Sequence, residues 1–149
     1  MGELNITAST IISFAEGLEE TSSRFYEKLA EKYAEGKEIF LSFAKEGKEN
    51  KVLLRRTYQE TISDALEACF IKGLDLNDYM VETELTEDTE YLDALKMGIE
   101  LEEKATKFYY KIAEYSSSLL ATLPRAFKKV AEKRNGRKTK LKLLHARSP

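Results

Sequence analysis

The chain has 149 residues, which is the size of one domain, and its formal net charge at pH 7 is −2. Two prolines and seven glycines leave few chain breaks for a β-rich fold, so we expect long helices. One cysteine, Cys69, and one histidine, His145, exclude a disulfide framework and a Cys/His zinc site. The first residues lack the basic start and long apolar run of a signal peptide or membrane span, which predicts a cytoplasmic protein with no membrane partner.

The first predicted helix covers roughly residues 9–33 and can be capped by Thr7 or Ser9. One stripe along it repeats at alternating spacings of three and four residues, as one face of a helix does. A carboxylate, Glu19, lies in this mainly apolar face, and Tyr26 follows seven residues later. We therefore expect Glu19 to meet a partner in the core. The stripe consists of Ile12, Ala15, Glu19, Ser22, Tyr26, Leu29 and Tyr33.

A second helix is predicted over residues 37–63, after a short turn at residues 34–36 that makes it antiparallel to the first. Its inner stripe contains a glycine, Gly47, and an amide, Asn50, between apolar residues. A glycine inside a helix costs about 1 kcal/mol relative to alanine, so Gly47 needs a packing reason. The stripe consists of Phe40, Phe43, Gly47, Asn50 and Leu54.

Residues 64–88 are predicted to form a long crossover. Its first part, DALEACFIKG, predicts a short helix, and the remainder is rich in turn formers and acids. If partly extended at about 3.3 Å per residue, the crossover can return the chain along a helix of about 39 Å. Cys69 within it is most simply a small buried hydrophobe.

The third predicted helix, over residues 89–117, repeats the pattern of the first. Glu102 and Tyr109 lie 83 residues after Glu19 and Tyr26, which indicates an internal duplication. The residues one turn either side of Glu102 are small and leave room around its carboxylate. The stripe consists of Leu95, Gly98, Glu102, Ala105, Tyr109 and Ile112.

The fourth predicted helix covers residues 123–144, and two arginines occupy core positions in it. Residues 125–149 hold ten Lys and Arg against one acid, Glu132, so this helix is strongly basic. His145 follows it in a tail that we expect to be loose. The inner stripe consists of Phe127, Val130, Arg134, Arg137, Leu141 and Leu144.

Two helical hairpins joined by one long crossover predict an all-α, ferritin-like four-helix bundle formed by residues 1–149 as a single domain. The sequence also resembles the rubrerythrin family of the ferritin-like superfamily. EETSSRFYEKLAE from Glu19 and ELEEKATKFYYKIAE from Glu100 each match the family pattern of a ligand Glu seven residues before a Tyr. FLSFAKEGKENKVLL and AFKKVAEKRNGRKTKLKLL are similar to the family's second and fourth helices. With one cysteine, no rubredoxin domain is expected.

The resemblance implies a dinuclear metal centre with one Glu from each of two helices and a Glu-x-x-His pair from each of the other two. Carboxylate and imidazole ligands suit iron or manganese. Glu19 and Glu102 match the first two ligand positions. The two pairs are replaced, one by Gly47 and Asn50 and the other by Arg134 and Arg137.

The substitutions suggest what fills the centre instead of metal. A desolvated carboxylate without a partner is costly and tends to protonate. We hypothesise that Arg134, with Arg137, reaches between Glu19 and Glu102 and takes the volume of the metals. We expect Gly47 to give the guanidinium room.

Other residues near these positions have simpler interpretations. Tyr26 and Tyr109 lie near the metal in the resembled family, but by default each is interpreted as an amphipathic core residue with a hydrogen-bonded hydroxyl. Glu46 and Glu49 could be substitute ligands, but their angular positions favour a solvated face. Arg137 lies toward the chain end, so solvent exposure and pairing are both open.

Three functions are compatible with these observations. The first is a bundle that has lost its dinuclear iron centre and serves a structural, binding or assembly role, with no cofactor and no catalytic residue. The second is an iron- or manganese-dependent oxidoreductase acting on peroxide or oxygen at a residual carboxylate site, as the resemblance implies. The third is binding of an acidic partner or nucleic acid through the basic fourth helix. No base-reading motif is visible, so we do not expect nucleic acid. The resemblance also implies a homodimer.

Overall fold

Four long helices dominate the computed structural model, which describes residues 5–61, 70–72, 74–116 and 122–147. They are α1 (Ala8–Lys32), α2 (Lys37–Thr61), α3 (Tyr91–Ser116) and α4 (Thr122–Arg147). The all-α four-helix bundle predicted from the sequence is therefore confirmed. α3 begins two residues later than expected, while α4 continues three residues past its predicted end at 144. His145 consequently lies within α4 and is half-buried, so the expectation of a loose tail there was wrong.

The start of α1 and the turn between α1 and α2 are each explained by a local residue preference. Thr7 caps α1, because its Oγ1 accepts a hydrogen bond from the backbone N–H of Thr10 at 3.2 Å. After α1 ends, Gly36 adopts a positive φ of 79°, which favours glycine, and α2 starts at the next residue. The short turn leaves α1 and α2 packed side by side as antiparallel neighbours.

The crossover departs from its prediction. Phe70–Lys72 is a β-strand, β2, that pairs antiparallel with β1, Asn5–Thr7, so the helix predicted over residues 64–73 was wrong at 70–72. Residues 64–69 and 73 of that predicted helix lie outside the described residues, as does Cys69. The strand depends on hydrogen bonds from a segment more than 60 residues earlier, which local propensity does not report. A 3₁₀ helix, Leu76–Tyr79, follows and is capped by Asp75.

The two hairpins meet so that the crossover lies on one side of the bundle and α2 contacts α4 on the other. On the crossover side, the ring of Tyr79 packs on Phe108 of α3 at 5.4 Å, and Phe14 of α1 packs on the same ring at 5.1 Å. On the other side, Lys133 of α4 hydrogen-bonds to Asn50 of α2. Within the described part of the chain, no helix has the length and apolar character needed to cross a lipid bilayer.

Candidate functional site

Charged side chains lie at the centre of the apolar core. Glu19 of α1, Glu102 of α3 and Arg134 of α4 are fully buried, and Arg137 of α4 is 2% exposed. Around them the inner stripes supply aromatic and aliphatic side chains. Because a buried charge is stable only when it is paired and hydrogen-bonded, the contacts among these four residues decide what the centre can do.

Arg134 contacts both glutamates. Its Nε lies 2.9 Å from Glu102 Oε1, and its Nη1 lies 3.8 Å from Glu19 Oε1. Its Nη2 donates a hydrogen bond of 2.7 Å to Ser22 Oγ, which in turn donates to the carbonyl oxygen of Leu18 at 2.6 Å. The guanidinium therefore bridges the carboxylates of the two repeats and is anchored to α1.

Arg137 extends this cluster toward α2. Its Nη1 lies 3.7 Å from Glu102 Oε2, and its Nε donates a hydrogen bond of 2.8 Å to Glu46 Oε1. Its guanidinium carbon lies 5.6 Å from the ring centroid of Phe43 and 5.9 Å from that of Tyr26, within range of cation–π attraction. Of the two placements left open for Arg137, the structure has the paired one.

Glu46 is the contact that sequence reasoning missed. Its side chain is 32% exposed and turned toward Arg137, so the expectation of a solvated Glu46 was wrong, whereas Glu49 is exposed. Glu46 lies one position before the inner stripe, at the edge of the buried face of α2. The available signal was the second buried arginine, which needs a carboxylate beyond the two that Arg134 engages.

Tyr26 and Tyr109 each hydrogen-bond to the glutamate of the other helix, α3 and α1 respectively. Tyr26 of α1 donates a hydrogen bond to Glu102 Oε2 on α3, and Tyr109 of α3 donates one of 2.6 Å to Glu19 Oε2 on α1. Burial, reinforced by the neighbouring glutamates, raises the pKa of both phenols well above 10.0. Both hydroxyls therefore remain protonated and act as donors to the carboxylates.

Asn50 completes the surroundings of Glu19. Its Nδ2 donates a hydrogen bond of 3.0 Å to Glu19 Oε1, and its Oδ1 accepts one from Lys133 Nζ at 3.5 Å. Glu19 is thus held by an amide on one oxygen and a phenol on the other. The Asn50 amide gives the carboxylate a hydrogen-bond donor without adding charge to the core.

The pKa values of Glu102 and Arg134 are set by burial and by the charges of their neighbours. Burial raises the pKa of Glu102, although Arg134, Arg137 and the Tyr26 hydroxyl pull in the opposite direction. Burial disfavours the charge on Arg134, but Glu102 and Glu19 outweigh it and raise its pKa. Arg134 Nε and Glu102 Oε1 are close but not aligned as a hydrogen bond, so the attraction only partly offsets the lost hydration of the carboxylate.

Gly47 has a different role from the one expected. A Cβ at this position would overlap Ser23 Oγ and lie 3.3 Å from the backbone oxygen of Glu19, while no arginine atom is among its nearest neighbours. Ser23 Oγ donates a hydrogen bond of 2.9 Å to the carbonyl oxygen of Ala44. Gly47 therefore makes room for this serine, and the prediction that it makes room for a guanidinium was wrong.

The residues at the centre do not fit a dinuclear metal centre. Across the described ranges, no group of three or more His, Cys, Asp or Glu side chains converges in a way that could hold a metal ion. The oxygens of Glu19 and Glu102 are already engaged by a phenol, an amide and a guanidinium. A guanidinium against both carboxylates would also repel a divalent ion.

Comparison with solved structures identifies the fold of the chain. No protein-family model matches the chain, and no curated protein matches it. A crystal structure from Thermotoga maritima, described as that of a ferritin-like diiron-carboxylate protein, superposes with a TM-score of 0.80, covering 97% of this chain and 98% of that chain at 21% sequence identity. The chain therefore has the ferritin-like fold, with a buried arginine–glutamate cluster at the centre of its bundle.

Proposed function

We propose that this protein is a rubrerythrin-like bundle that no longer holds a dinuclear metal centre and serves a structural, binding or assembly role in the cytoplasm rather than an enzymatic one. The observation that carries the proposal is the contact of the Arg134 guanidinium with both Glu19 and Glu102. In the resembled family, carboxylates at these two positions hold metal. In this chain the Arg134 guanidinium supplies the positive charge next to both carboxylates.

Charge supports this assignment. Two glutamates and two arginines sum to zero, so the core is neutral without any added ion. At an effective dielectric constant of 20, one guanidinium 4 Å from a divalent ion would repel it by about 8 kcal/mol, which cancels the attraction of one carboxylate at the same distance. For metal to bind between the glutamates, both arginines would have to leave the core. Their guanidinium groups would then either lose their carboxylate partners or move to the surface.

Metal analysis tests the loss of the centre directly. The full chain is produced in cells supplemented with iron or manganese, purified without chelator, and its metal content is measured by mass spectrometry. We expect far less than one metal ion per chain. A content near two ions per chain would overturn the proposal.

Restoration of the resembled ligand set tests the rubrerythrin-like origin. The variant carries Gly47→Glu, Asn50→His, Arg134→Glu and Arg137→His, together with Ser23→Ala, because a side chain at 47 would otherwise overlap Ser23 Oγ. We expect it to bind two iron ions per chain. The matched control keeps both arginines and changes only positions 23, 47 and 50, and we expect it to bind none. A folded restored variant without metal would contradict the proposed origin.

Association into a homodimer is a further part of the proposal. Large apolar side chains are exposed on α2 and α4, including Leu41 at 45% and Leu143 at 51%. Residues 125–149 carry ten basic residues and one acid, which leaves 14 basic and 25 acidic residues in the remainder, so like copies can attract each other. Light scattering should give twice the chain mass of 17.1 kDa. A mass of one chain at every concentration would refute the dimer.

A further inference from the structure

An apolar cavity of about 260 Å³ lies between the crossover and the two helices beneath it. All eight residues that line it are uncharged, although Asp, Glu, Lys and Arg make up 34% of the chain. A charged group placed inside would lose hydration without gaining an ionic partner in the wall. The lining includes Phe14, Gly17 and Thr21 of α1, Tyr79 and Met80 of the crossover, and Leu101 of α3.

Gly17 is the unexplained element of this wall. It lies in the middle of α1, where glycine is less favourable than alanine, and its backbone has no positive φ that would require glycine. A Cβ added at Gly17 would meet nothing within 4 Å. Packing within the described part of the chain therefore does not require a glycine here. The missing side chain at Gly17 leaves space beside the cavity that a larger residue would take up.

Two residues that carry hydroxyl groups, Thr21 and Tyr79, also line the cavity. Neither hydroxyl forms a hydrogen bond with another described residue. The Tyr79 ring is held by its contact with Phe108. Met80 is 61% exposed at the edge, and its flexible thioether chain suits an apolar guest. Lys104 Nζ donates to the Met80 carbonyl oxygen at 3.2 Å and keeps this segment against α3.

We propose that this cavity binds a small uncharged molecule that has an apolar body and one hydroxyl or carbonyl group. The apolar wall takes the body, and Thr21 or Tyr79 hydrogen-bonds to the single polar group. A dry cavity of about 150 Å³ accommodates benzene, so about 260 Å³ corresponds to roughly ten non-hydrogen atoms. The site is separate from the arginine–glutamate cluster and does not depend on whether the bundle holds metal.

Calorimetric titration of the full chain with 1-octanol tests the proposal. We expect saturable binding of one molecule per chain. Gly17→Leu adds a bulky side chain at a residue that lines the cavity and should weaken binding by about tenfold or more. Gly136→Leu is the matched control, because Gly136 is also an exposed glycine inside a helix with open space at its Cβ, and it does not line the cavity. Its affinity should stay within about twofold of wild type.

Charged analogues of the same length test the chemical class. Octanoate and octylammonium should both bind about tenfold or more weakly than 1-octanol, because the wall offers no charge to either. Circular dichroism melts establish that both leucine variants are folded. The proposal is overturned if wild type shows no saturable binding, if Gly17→Leu binds as wild type does, if Gly136→Leu is weakened equally, or if a charged analogue binds as tightly.

Discussion

The Arg134 side chain places a charged guanidinium in the fully buried core. It is fully buried, so it forgoes hydration, and it recovers free energy through Glu102, Glu19 and Ser22. Removing one partner of a buried pair leaves an uncompensated charge, which is far more destabilising than removing the whole pair. The cluster is therefore interdependent.

Replacement of Arg134 by alanine should lower the free energy of unfolding by about 3–5 kcal/mol, because Glu102 and Glu19 lose their buried cation. Urea unfolding followed by circular dichroism measures the change. Arg24→Ala is the control, since the Arg24 side chain is 70% exposed and its pair with Glu20 lies on the surface. That control should change stability by less than about 1 kcal/mol. A loss below about 1 kcal/mol for Arg134→Ala would contradict the paired, buried role.

Glu102 should make stability depend on pH in a definite direction. Burial raises its pKa above 4.5, so the folded state holds the proton more tightly than the unfolded chain does. Its contribution to stability is complete below pH 4.5 and is lost as pH rises through the folded pKa. The unfolding free energy of Glu102→Gln, relative to wild type, should therefore increase with pH across this range.

Unfolding curves at a series of pH values measure this difference. Glu103→Gln, on the exposed face of the same helix, corrects for the loss of one surface carboxylate. A difference between Glu102→Gln and wild type that does not change with pH would exclude a raised pKa at Glu102.

At the scale of helices, the contact between α1 and α2 depends on one glycine and one serine. Ser23 of α1 hydrogen-bonds to the Ala44 carbonyl of α2, and Gly47 lets the helices approach closely enough for this bond. The bond satisfies the buried Ser23 hydroxyl across the two helices of the hairpin.

Gly47→Ala should destabilise the protein by about 1–3 kcal/mol, because the added methyl group overlaps Ser23 Oγ. In a Ser23→Ala background the same change should be neutral or stabilising by up to about 1 kcal/mol, since the overlap is gone and alanine is the better helix former. A double-mutant cycle by chemical unfolding measures the coupling. Additive effects would indicate that Gly47 serves some other neighbour.

Across the whole molecule, two crossed hydrogen bonds join the hairpins through the core. Tyr26 of α1 donates to Glu102 of α3, and Tyr109 of α3 donates to Glu19 of α1. Because these donors must be protonated, we expect the stability of the whole bundle to fall at high pH.

Alkaline unfolding should follow from the two buried phenols. Their raised pKa values mean that the folded state resists ionisation, so stability is complete below pH 10 and falls as pH rises above it. Absorbance at the tyrosinate band should show Tyr26 and Tyr109 ionising only together with the loss of helical circular dichroism. Tyr26→Phe and Tyr109→Phe, which each remove one buried phenol hydroxyl, should each reduce the absorbance rise that accompanies unfolding. Ionisation of both buried phenols in a still-helical protein would refute this.

The sequence alone determined the four long helices, their inner faces and the presence of charge in the core. These features are local, because a period of three and four residues reports which side of a helix is buried, whatever it packs against. Glu19, Glu102, Arg134 and Arg137 were all assigned to inner stripes, and each is buried. The duplication and the long crossover were enough to indicate the fold class.

Only the tertiary structure decided which atoms meet. The role of Gly47, the inward turn of Glu46 and the strand at Phe70–Lys72 all depend on neighbours that are distant in the chain. The apolar cavity likewise exists only where α1, α3 and the crossover come together. Periodicity gives the direction of a side chain to within a helical face, whereas ion pairing and packing depend on differences of an ångström between elements, which no local pattern encodes.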